Sequence, residues 1–319
     1  MTPASSLPRI KTRIAAIDIA RGVAVFGMFA YHLTWDLASL GFVARDVPFS
    51  ASFRLFSHIV ASTFLFLAGV SLVLAKRKPF DWRNWSRHLA MIVGATLLVT
   101  AASAVLFPNG LITFGILHCI ALALLVATPF LFLSPVFAAL AAIAIAALPA
   151  FVQSPAFNPA SFVWIGFGTI EPRSNDFRPF FPWAAPVFAG LAVAAFAKQS
   201  RMLPASLWQP VGRIGRSVAW AGRHTLAIYL LHQPVFFGVL AAIAYVVPPD
   251  AEHRAFVGSC VARCTSSGGN SDACKTACAC VSRETEALGL RGRAVAARLD
   301  DAEKLMLSQV TQACLRAAR

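Results

Sequence analysis

Charged residues are scarce in this sequence, and acidic residues are the scarcest of them. Only 13% of the 319 residues are charged, with 14 Asp and Glu against 28 Lys and Arg. Soluble domains average about 25% charged residues, so the composition argues against a soluble protein. The sequence also lacks a Walker loop, a G-x-S-x-G elbow and a G-x-G-x-x-G turn after a strand. Nucleotide hydrolysis and serine-hydrolase chemistry therefore have no motif to support them.

Apolar residues, by contrast, are abundant. They make up 58% of the chain, and the mean hydropathy is +0.67. The net charge of +14 would suit a nucleic acid, but the basic residues cluster in short segments between apolar runs, which is the positive-inside pattern of membrane proteins. No RNA- or DNA-binding motif is present, so we expect no nucleic acid partner. We predict an all-α, polytopic membrane helix bundle.

The apolar runs predict about seven transmembrane helices, because roughly 20 apolar residues cross a bilayer. The predicted spans cover residues 14–43, 53–75, 89–107, 111–133, 136–152, 182–197 and 224–247. We therefore divide the chain into a basic arm (1–13), a transmembrane domain (14–247) and a polar tail (248–319). The first run is long and contains charges, so we expect no cleavable signal peptide.

The distribution of Lys and Arg predicts the orientation. Segments 1–13, 76–88 and 198–223 together hold thirteen of these residues, whereas the loops on the opposite side hold four before the tail begins. Because Lys and Arg in short loops stay in the cytoplasm, we expect a cytoplasmic N-terminus and a tail on the outer side.

The first span carries four ionisable residues in an otherwise apolar run. Each costs roughly 2.5–3.5 kcal/mol in hydrocarbon on insertion scales. Asp18 and Arg21 are three residues apart, and His32 and Asp36 are four apart, so each pair shares a helix face and can interact. We interpret this helix as the polar wall of a membrane-embedded site. The alternative is two structural ion pairs that lock helix packing.

Histidines on separate spans are the candidate catalytic groups. His32, His58 and His118 fall toward the outer half, and His232 lies nearer the middle. Imidazole titrates near neutrality, so it can act as a general base, a proton relay or an acyl acceptor. Asp36 would hold His32 in one tautomer. A helix-to-helix hydrogen bond is the alternative for any one of them. No H-x3-H spacing occurs, and we expect no metal.

The tail holds six of the seven cysteines. They are Cys260, Cys264, Cys274, Cys278, Cys280 and Cys314. An even number of cysteines in a segment placed outside the membrane fits disulfides in an oxidising compartment. A zinc site is the competing interpretation, but C-x3-C spacing and a near absence of histidine disfavour it.

Two C-x3-C pairs flank a Gly- and Ser-rich turn in this tail. Each pair puts both sulfurs on one helix face, so two antiparallel helices can be stapled, for example by Cys260–Cys278 and Cys264–Cys274. The other two tail cysteines would then pair with each other. The spacing resembles the helical hairpins of twin C-x3-C proteins, but spacing alone does not determine connectivity.

Four stretches resemble a known family. The run IDIARGVAVFGMFAYHLTWDL is similar to the D-x-x-R-G…H-x-x-x-D opening of a bacterial membrane family related to the catalytic domain of heparan-α-glucosaminide N-acetyltransferase and to the wider transmembrane acyltransferases. ITFGILHCIAL around His118, DFRPFFPWAAPVFAGLA around Asp176 and Trp183, and IYLLHQPVFFG around His232 agree with it. Together these stretches cover nearly all of 14–247, and the cysteine tail lies outside them.

The resemblance implies transfer of an acyl group, with acetyl expected, from cytoplasmic acyl-CoA to a sugar or other hydroxyl or amine acceptor at the outer face. Combined with the buried groups, it gives catalytic candidates His32, Asp36, His118, His232 and His58. The candidates for binding acyl-CoA, whose phosphates suit basic partners, are Asp18, Arg21, Arg87 and Arg223. The candidates for binding the acceptor are Asp176, Trp183 and Gln233.

One position departs from the family. Aligned through the R-G motif, His32 falls where the lysosomal enzyme has Asn. Its role as a base therefore rests on chemistry and not on the resemblance.

Two other functions stay open at this point. A proton-coupled transporter would also use buried Asp, His and Arg, although no internal repeat supports one. A membrane anchor displaying the cysteine-rich tail is the other. We expect a bacterial inner-membrane protein with a periplasmic tail. Its expected partners are the lipid bilayer, acyl-CoA and a sugar or glycan acceptor, and a homodimer is compatible with the sequence.

Overall fold

The described part of the chain is helical throughout. The computed structural model describes residues 14–44, 46–76, 79–107, 110–172, 174–200, 212–247, 251–290, 293–294 and 298–318, without the side chains of 251–254. The predicted arm, 1–13, lies outside this description, as do 77–78 and 201–211 of the predicted basic segments. No strand occurs in the described ranges, so the prediction of an all-α protein is confirmed.

Twelve helices are used in this description. The first six are α1 (Ala15–Ser39), α2 (Ala51–Ala75), α3 (Trp82–Leu106), α4 (Ile116–Ala127), α5 (Pro135–Ala147) and the short α6 (Phe180–Trp183). The others are α7 (Ala185–Gln199), α8 (Gly212–Arg223), α9 (Thr225–Val246), α10 (Ala251–Ser266), α11 (Ser271–Ala287) and α12 (Asp301–Ala317).

Four of these helices, α1, α2, α3 and α9, are long and apolar enough to cross a membrane. Large apolar side chains such as Leu231 and Val239 on α9 are more than half exposed, as expected for positions that face lipid. The chain is a membrane protein. The apolar segments that contain α4, α5 and α7 are shorter, at 10–17 residues, so the full count of seven spans stays a prediction.

Two segments differ from the predicted organisation. Helix α3 begins at Trp82 and not near residue 89, because the Asp81 carboxylate accepts the Asn84 N–H at 2.9 Å and caps the helix. Arg87 and His88 therefore lie on a helix. The predicted loop before the last span likewise contains a helix, α8.

The described residues fall into two compact units. The first takes in residues up to Tyr31 and Arg54–Pro234, and the second takes in His32–Phe53 and residues from Val235 onward. The core of the first unit contains Leu65 of α2 and Phe188 of α7, both at most 1% exposed.

Glycines bring α2 and α7 of the first unit into close contact. A Cβ on Gly69 would overlap the Val187 carbonyl oxygen of α7, and a Cβ on Gly190 would overlap the Phe66 carbonyl oxygen of α2. Small residues at such crossings let two backbones approach, which is the usual packing device inside membranes.

A second crossing of this kind joins α1 to α8. A Cβ on Gly22 would overlap the Val218 carbonyl oxygen, and a Cβ on Gly222 would overlap that of Asp18. The amphipathic helix α8 is thereby held against the polar first half of α1.

The tail belongs to the second unit and is stapled by three disulfides. Cys260–Cys278 and Cys264–Cys274 join α10 to α11, and Cys280–Cys314 joins α11 to α12. The pairing offered above as an example is the one the structure has, so the prediction of a helical, disulfide-stapled tail is confirmed. Its position outside the membrane stays a prediction.

The α1–α8 crossing can be tested by adding one methyl group. We expect Gly222→Ala to destabilise the protein by about 1–3 kcal/mol through overpacking against the Asp18 carbonyl. The matched control is Gly238→Ala on α9, where nothing lies within 4 Å of the new Cβ. Melting temperatures in detergent that fall equally in both variants would contradict this account of the crossing.

The disulfides predict a specific count of reactive thiols. Alkylation of the denatured, unreduced chain should label only buried Cys119, the one cysteine outside the disulfides, and reduction should expose all seven cysteines. The Cys119→Ser variant should show no label before reduction. Labelling of the six tail thiols without reduction would contradict the disulfides and remove their support for the outer placement of the tail.

Candidate functional site

The first unit contains a cavity of about 590 Å³ among α2, α3, α4 and α9, with the ends of α1 and α8 contributing to its wall. Its volume is within the usual range of small-molecule sites, about 300–1,000 Å³. Charged and polar residues form one part of the lining, and they include Arg21, Asp81, Asn84, Arg87, His88 and Arg223. Apolar residues form most of the rest, among them Phe64, Ala68, Met91, Ile92, Leu117 and Ile120.

The cavity runs along α4 and changes character along its length. The Lys76 ammonium donates to the Leu131 carbonyl oxygen at 2.6 Å, which ties the turn after α4 to the end of α2. Trp82 at the start of α3, and Phe80 before it, contact the ring of Phe132 just after α4, so the polar residues in the first turns of α3 lie at the Leu124 end of α4. Helix α4 lines the cavity from Ile116 to Leu124. These eight residue steps span about 12 Å along the helix axis.

Arg21 is held in the wall of the polar end by two partners. Its guanidinium donates to the Ser71 hydroxyl of α2, and its Nη1 lies 4.0 Å from the Asp18 carboxylate. The pairing of Asp18 with Arg21 predicted from their spacing is present. Arg87 and Arg223 also line the cavity. Asp18 does not line it but pairs with Arg21, which does. Their predicted role toward acyl-CoA stays a prediction.

Asp176 lies at the opposite end, where α4 begins. Its Oδ2 accepts the Ile116 N–H at 2.8 Å, and Gly115 leaves room for it, since a Cβ there would overlap that oxygen. Ile116, whose N–H it accepts, and Tyr229 of α9 both line the cavity. The carboxylate thus satisfies a helix N-terminus. Its predicted role in binding the acceptor stays a prediction.

His118 is built into the connection between α3 and α4. Its Nδ1 accepts the Gly115 N–H at 3.2 Å, and its Nε2 lies 3.2 Å from the Thr100 hydroxyl. Thr100 in turn donates to the Ile112 carbonyl oxygen at 2.8 Å. A neutral ring that accepts at Nδ1 carries its proton on Nε2, so it donates to Thr100. Both ring nitrogens are engaged, and a catalytic role for His118 stays a prediction.

A second cluster brings predicted residues together around Trp183. The His58 ring meets the Trp183 ring edge to face at 5.0 Å between centroids. The Arg178 guanidinium lies 4.5 Å from the Trp183 ring centroid and donates to the Ser57 hydroxyl at 2.9 Å. Cation–π contact of this kind favours a fixed ring. The candidates His58 and Trp183 are therefore neighbours.

His232 lies on α9 and packs against α1. Its Nδ1 is 2.7 Å from the Tyr229 carbonyl oxygen, which can only accept, so Nδ1 carries the proton and the neutral ring has its lone pair on Nε2. The ring stacks on Phe29 at 5.8 Å. Gln233 beside it is half-buried.

His32 and Asp36 belong to the second unit. Asp36 is 1% exposed and His32 is half-buried. Their predicted convergence with His118 and His232, which belong to the first unit, stays a prediction.

Sequence reasoning missed two cavity residues, His88 and Tyr229. The basic composition of residues 76–88 predicts a loop around His88, but Asp81, the sixth residue of that segment, caps α3 and puts His88 on the helix. Tyr229 is one of only three tyrosines in the chain and stands inside the IYLLHQP stretch quoted above. Across the described ranges no group of three or more His, Cys, Asp or Glu is placed to hold a metal.

A match to a known protein family covers nearly all of the first unit. Residues 13–234 match the family described as "Heparan-alpha-glucosaminide N-acetyltransferase, catalytic". No curated protein and no solved structure matches the chain. The matched range contains the cavity, the Trp183 cluster and the four stretches whose resemblance was noted from sequence. Since it spans more than half of the chain, the chain belongs to the heparan-alpha-glucosaminide N-acetyltransferase catalytic family.

Proposed function

We propose that this protein is a membrane acyltransferase that moves an acyl group, acetyl in the first instance, from acyl-CoA to a hydroxyl or amine acceptor such as a sugar. Family membership supports an acetyltransferase type of activity. The observation that carries the proposal is the cavity of the first unit, whose lining combines the three arginines Arg21, Arg87 and Arg223 with a wall of apolar side chains.

The cavity lining fits a ligand with an anionic head and a long neutral arm. Arg21, Arg87 and Arg223 would hold the phosphates of coenzyme A, since guanidinium groups bind phosphate oxygens in a bidentate manner. The apolar positions of α2, α3 and α4 would cover the arm. When bound, acyl-CoA supplies an activated thioester carbonyl.

The orientation is part of the proposal. Excess Lys and Arg in three segments favours a cytoplasmic N-terminus, which puts Arg21 and the polar end of the cavity on the cytoplasmic side, where acyl-CoA is available. The disulfide-stapled tail then lies in the periplasm of a bacterial inner-membrane protein, an oxidising compartment in which disulfides persist.

His32 is the proposed general base. It would take the proton of the acceptor hydroxyl or amine, and Asp36, four residues on, would orient its ring. Burial of Asp36 supports this role, because a carboxylate withdrawn from water favours a protonated or hydrogen-bonded neighbour. The cluster of His58, Trp183 and Arg178 is the proposed surface for the acceptor.

Replacing one arginine of the polar end should weaken coenzyme binding. We expect Arg87→Gln to lower the affinity for coenzyme A about 10- to 100-fold, the worth of one hydrogen bond to a charged group, measured by titration calorimetry in detergent. The matched control is Arg83→Gln, one helical turn earlier on the exposed surface of α3, which should bind normally. A wild-type protein that neither binds nor is thermally stabilised by acetyl-CoA would contradict the proposed function.

Removing the proposed base should stop transfer without unfolding the protein. We expect His32→Ala to abolish release of coenzyme A from acetyl-CoA in membranes supplied with cell-envelope sugars, while insertion and coenzyme affinity are retained. The exposed His224, replaced in the same way, serves as the control. Wild-type activity in the His32 variant would remove this residue from the mechanism.

A further inference from the structure

The disulfide-stapled tail contains a cavity of its own, of about 750 Å³, between α10 and α12. Its floor is the buried face of α11, where Ala277, Cys278 and Val281 are at most 2% exposed. Disulfides attach both α10 and α12 to α11. The cavity is therefore a groove with fixed walls, and its volume is within the range of small-molecule sites, about 300–1,000 Å³. We call it the tail groove.

The two walls of the tail groove carry apolar side chains at helical spacing. Phe256 and Cys260 line it from α10, and Leu307 and Leu315 line it from α12. Residues four or eight positions apart lie on one face of a helix, so each wall presents an apolar stripe. The stripe on α12 is about 12 Å long, at 1.5 Å per residue. Such walls suit an apolar chain that lies along the helices.

One cation interrupts this apolar lining. In the part of the tail whose side chains the structure describes, Arg263 is the only charged residue that lines the groove. It is exposed, and no salt bridge among the described residues involves it. The groove therefore offers one guanidinium to a ligand and has no described acidic group to compete for it.

The hydroxyl groups of the lining do not add donors. Ser259, Ser267 and Thr311 each donate to a backbone carbonyl oxygen one turn earlier in the chain, at 2.7–2.9 Å. A hydroxyl has one proton, so these three groups can only accept a further hydrogen bond. Among the described lining side chains, the Arg263 guanidinium is the donor. The polar group of a ligand must then be an acceptor, and a carboxylate is the strongest match.

We propose that the tail groove binds a fatty acid, with the carboxylate on Arg263 and the acyl chain along the apolar walls. A molecule with one anionic group and one apolar chain matches one guanidinium in an apolar groove. The bilayer is the source of this ligand. Helix α9, which is long enough to cross a membrane, ends at Val246, and α10 begins at Ala251, so at most about 18 Å of chain separates them. This site is independent of the proposed acyl transfer.

Photo-crosslinking in nanodiscs tests the proposal on the full chain. The probe is a palmitic acid with a diazirine in its chain, and the controls are the corresponding fatty alcohol and a phosphatidylglycerol carrying the same chain. Labelled peptides are identified by mass spectrometry, and labelling of the lipid-facing helix α9 gives the amount of probe in the bilayer. We expect the acid to label α10 to α12 saturably, at a higher ratio to α9 than either control.

Variants of the groove separate the charge from the shape. We expect Arg263→Gln to lower the saturable labelling about fivefold or more, as for loss of a hydrogen bond to a charged group. The matched control is Arg283→Gln on α11, an exposed arginine outside the groove lining, which should label normally. Ser259→Trp adds bulk at an exposed position of one wall and should remove the saturable labelling while Arg263 is kept. Alkylation of each variant should still find the six tail thiols blocked.

Several results would overturn this inference. They are equal labelling by the acid and the alcohol, unchanged labelling in Arg263→Gln, and stronger labelling by the phosphatidylglycerol, which would assign the groove to a phospholipid. A tail that crosslinks only to a second copy of the chain or to another protein would assign it to a protein partner. None of these results bears on coenzyme A binding, which Arg263→Gln should leave unchanged.

Discussion

The rest of the first unit depends on keeping a guanidinium inside a bundle of apolar helices. Arg21 stands on a helix long enough to cross a membrane, where an unpaired charge would cost several kcal/mol, roughly 2.5–3.5 on insertion scales. The carboxylate of Asp18 and the hydroxyl of Ser71 offset this cost. They also tie α1 to α2, and the glycine crossing with α8 closes the other side. The residues that make these contacts, Arg21, Ser71 and Gly222, also line the polar end of the cavity.

The cavity joins that end to a second polar position without a charged residue between them. Asp176 accepts the first N–H of α4, which helix geometry leaves unsatisfied. One carboxylate, 60 residues along the chain from Ile116, thus completes the start of this helix. The cavity lining thus combines cationic side chains with an apolar wall that includes α4, and this combination is the basis for proposing a ligand with an anionic head and a neutral arm.

The histidines have different surroundings, although the sequence predicts similar depths in the membrane for most of them. The two nitrogens of His118 are used within the α3–α4 connection. The Nδ1–H of His232 donates a hydrogen bond to a backbone carbonyl oxygen. The ring of His58 packs edge to face against Trp183. Imidazoles that looked equivalent as titratable groups therefore differ in which nitrogen can exchange a proton. This difference leaves His32, beside buried Asp36, as the proposed base.

Some features followed from the sequence by itself because their causes are local. Hydropathy identified the four helices long enough to cross a membrane, and i to i+3 spacing paired Asp18 with Arg21. The C-x3-C spacing suggested, as one example, the disulfide pairing that joins α10 to α11. The start of α3 was misplaced because the cap at Asp81 was overlooked in a basic segment. Only the tertiary structure decided the cavity and its far end. Asp176 meets Ile116 across 60 residues, and nothing local in either segment specifies which N–H a distant carboxylate will satisfy. That choice depends on how closely separate backbones pack, which glycines such as Gly115 permit and which becomes visible only when the helices are assembled.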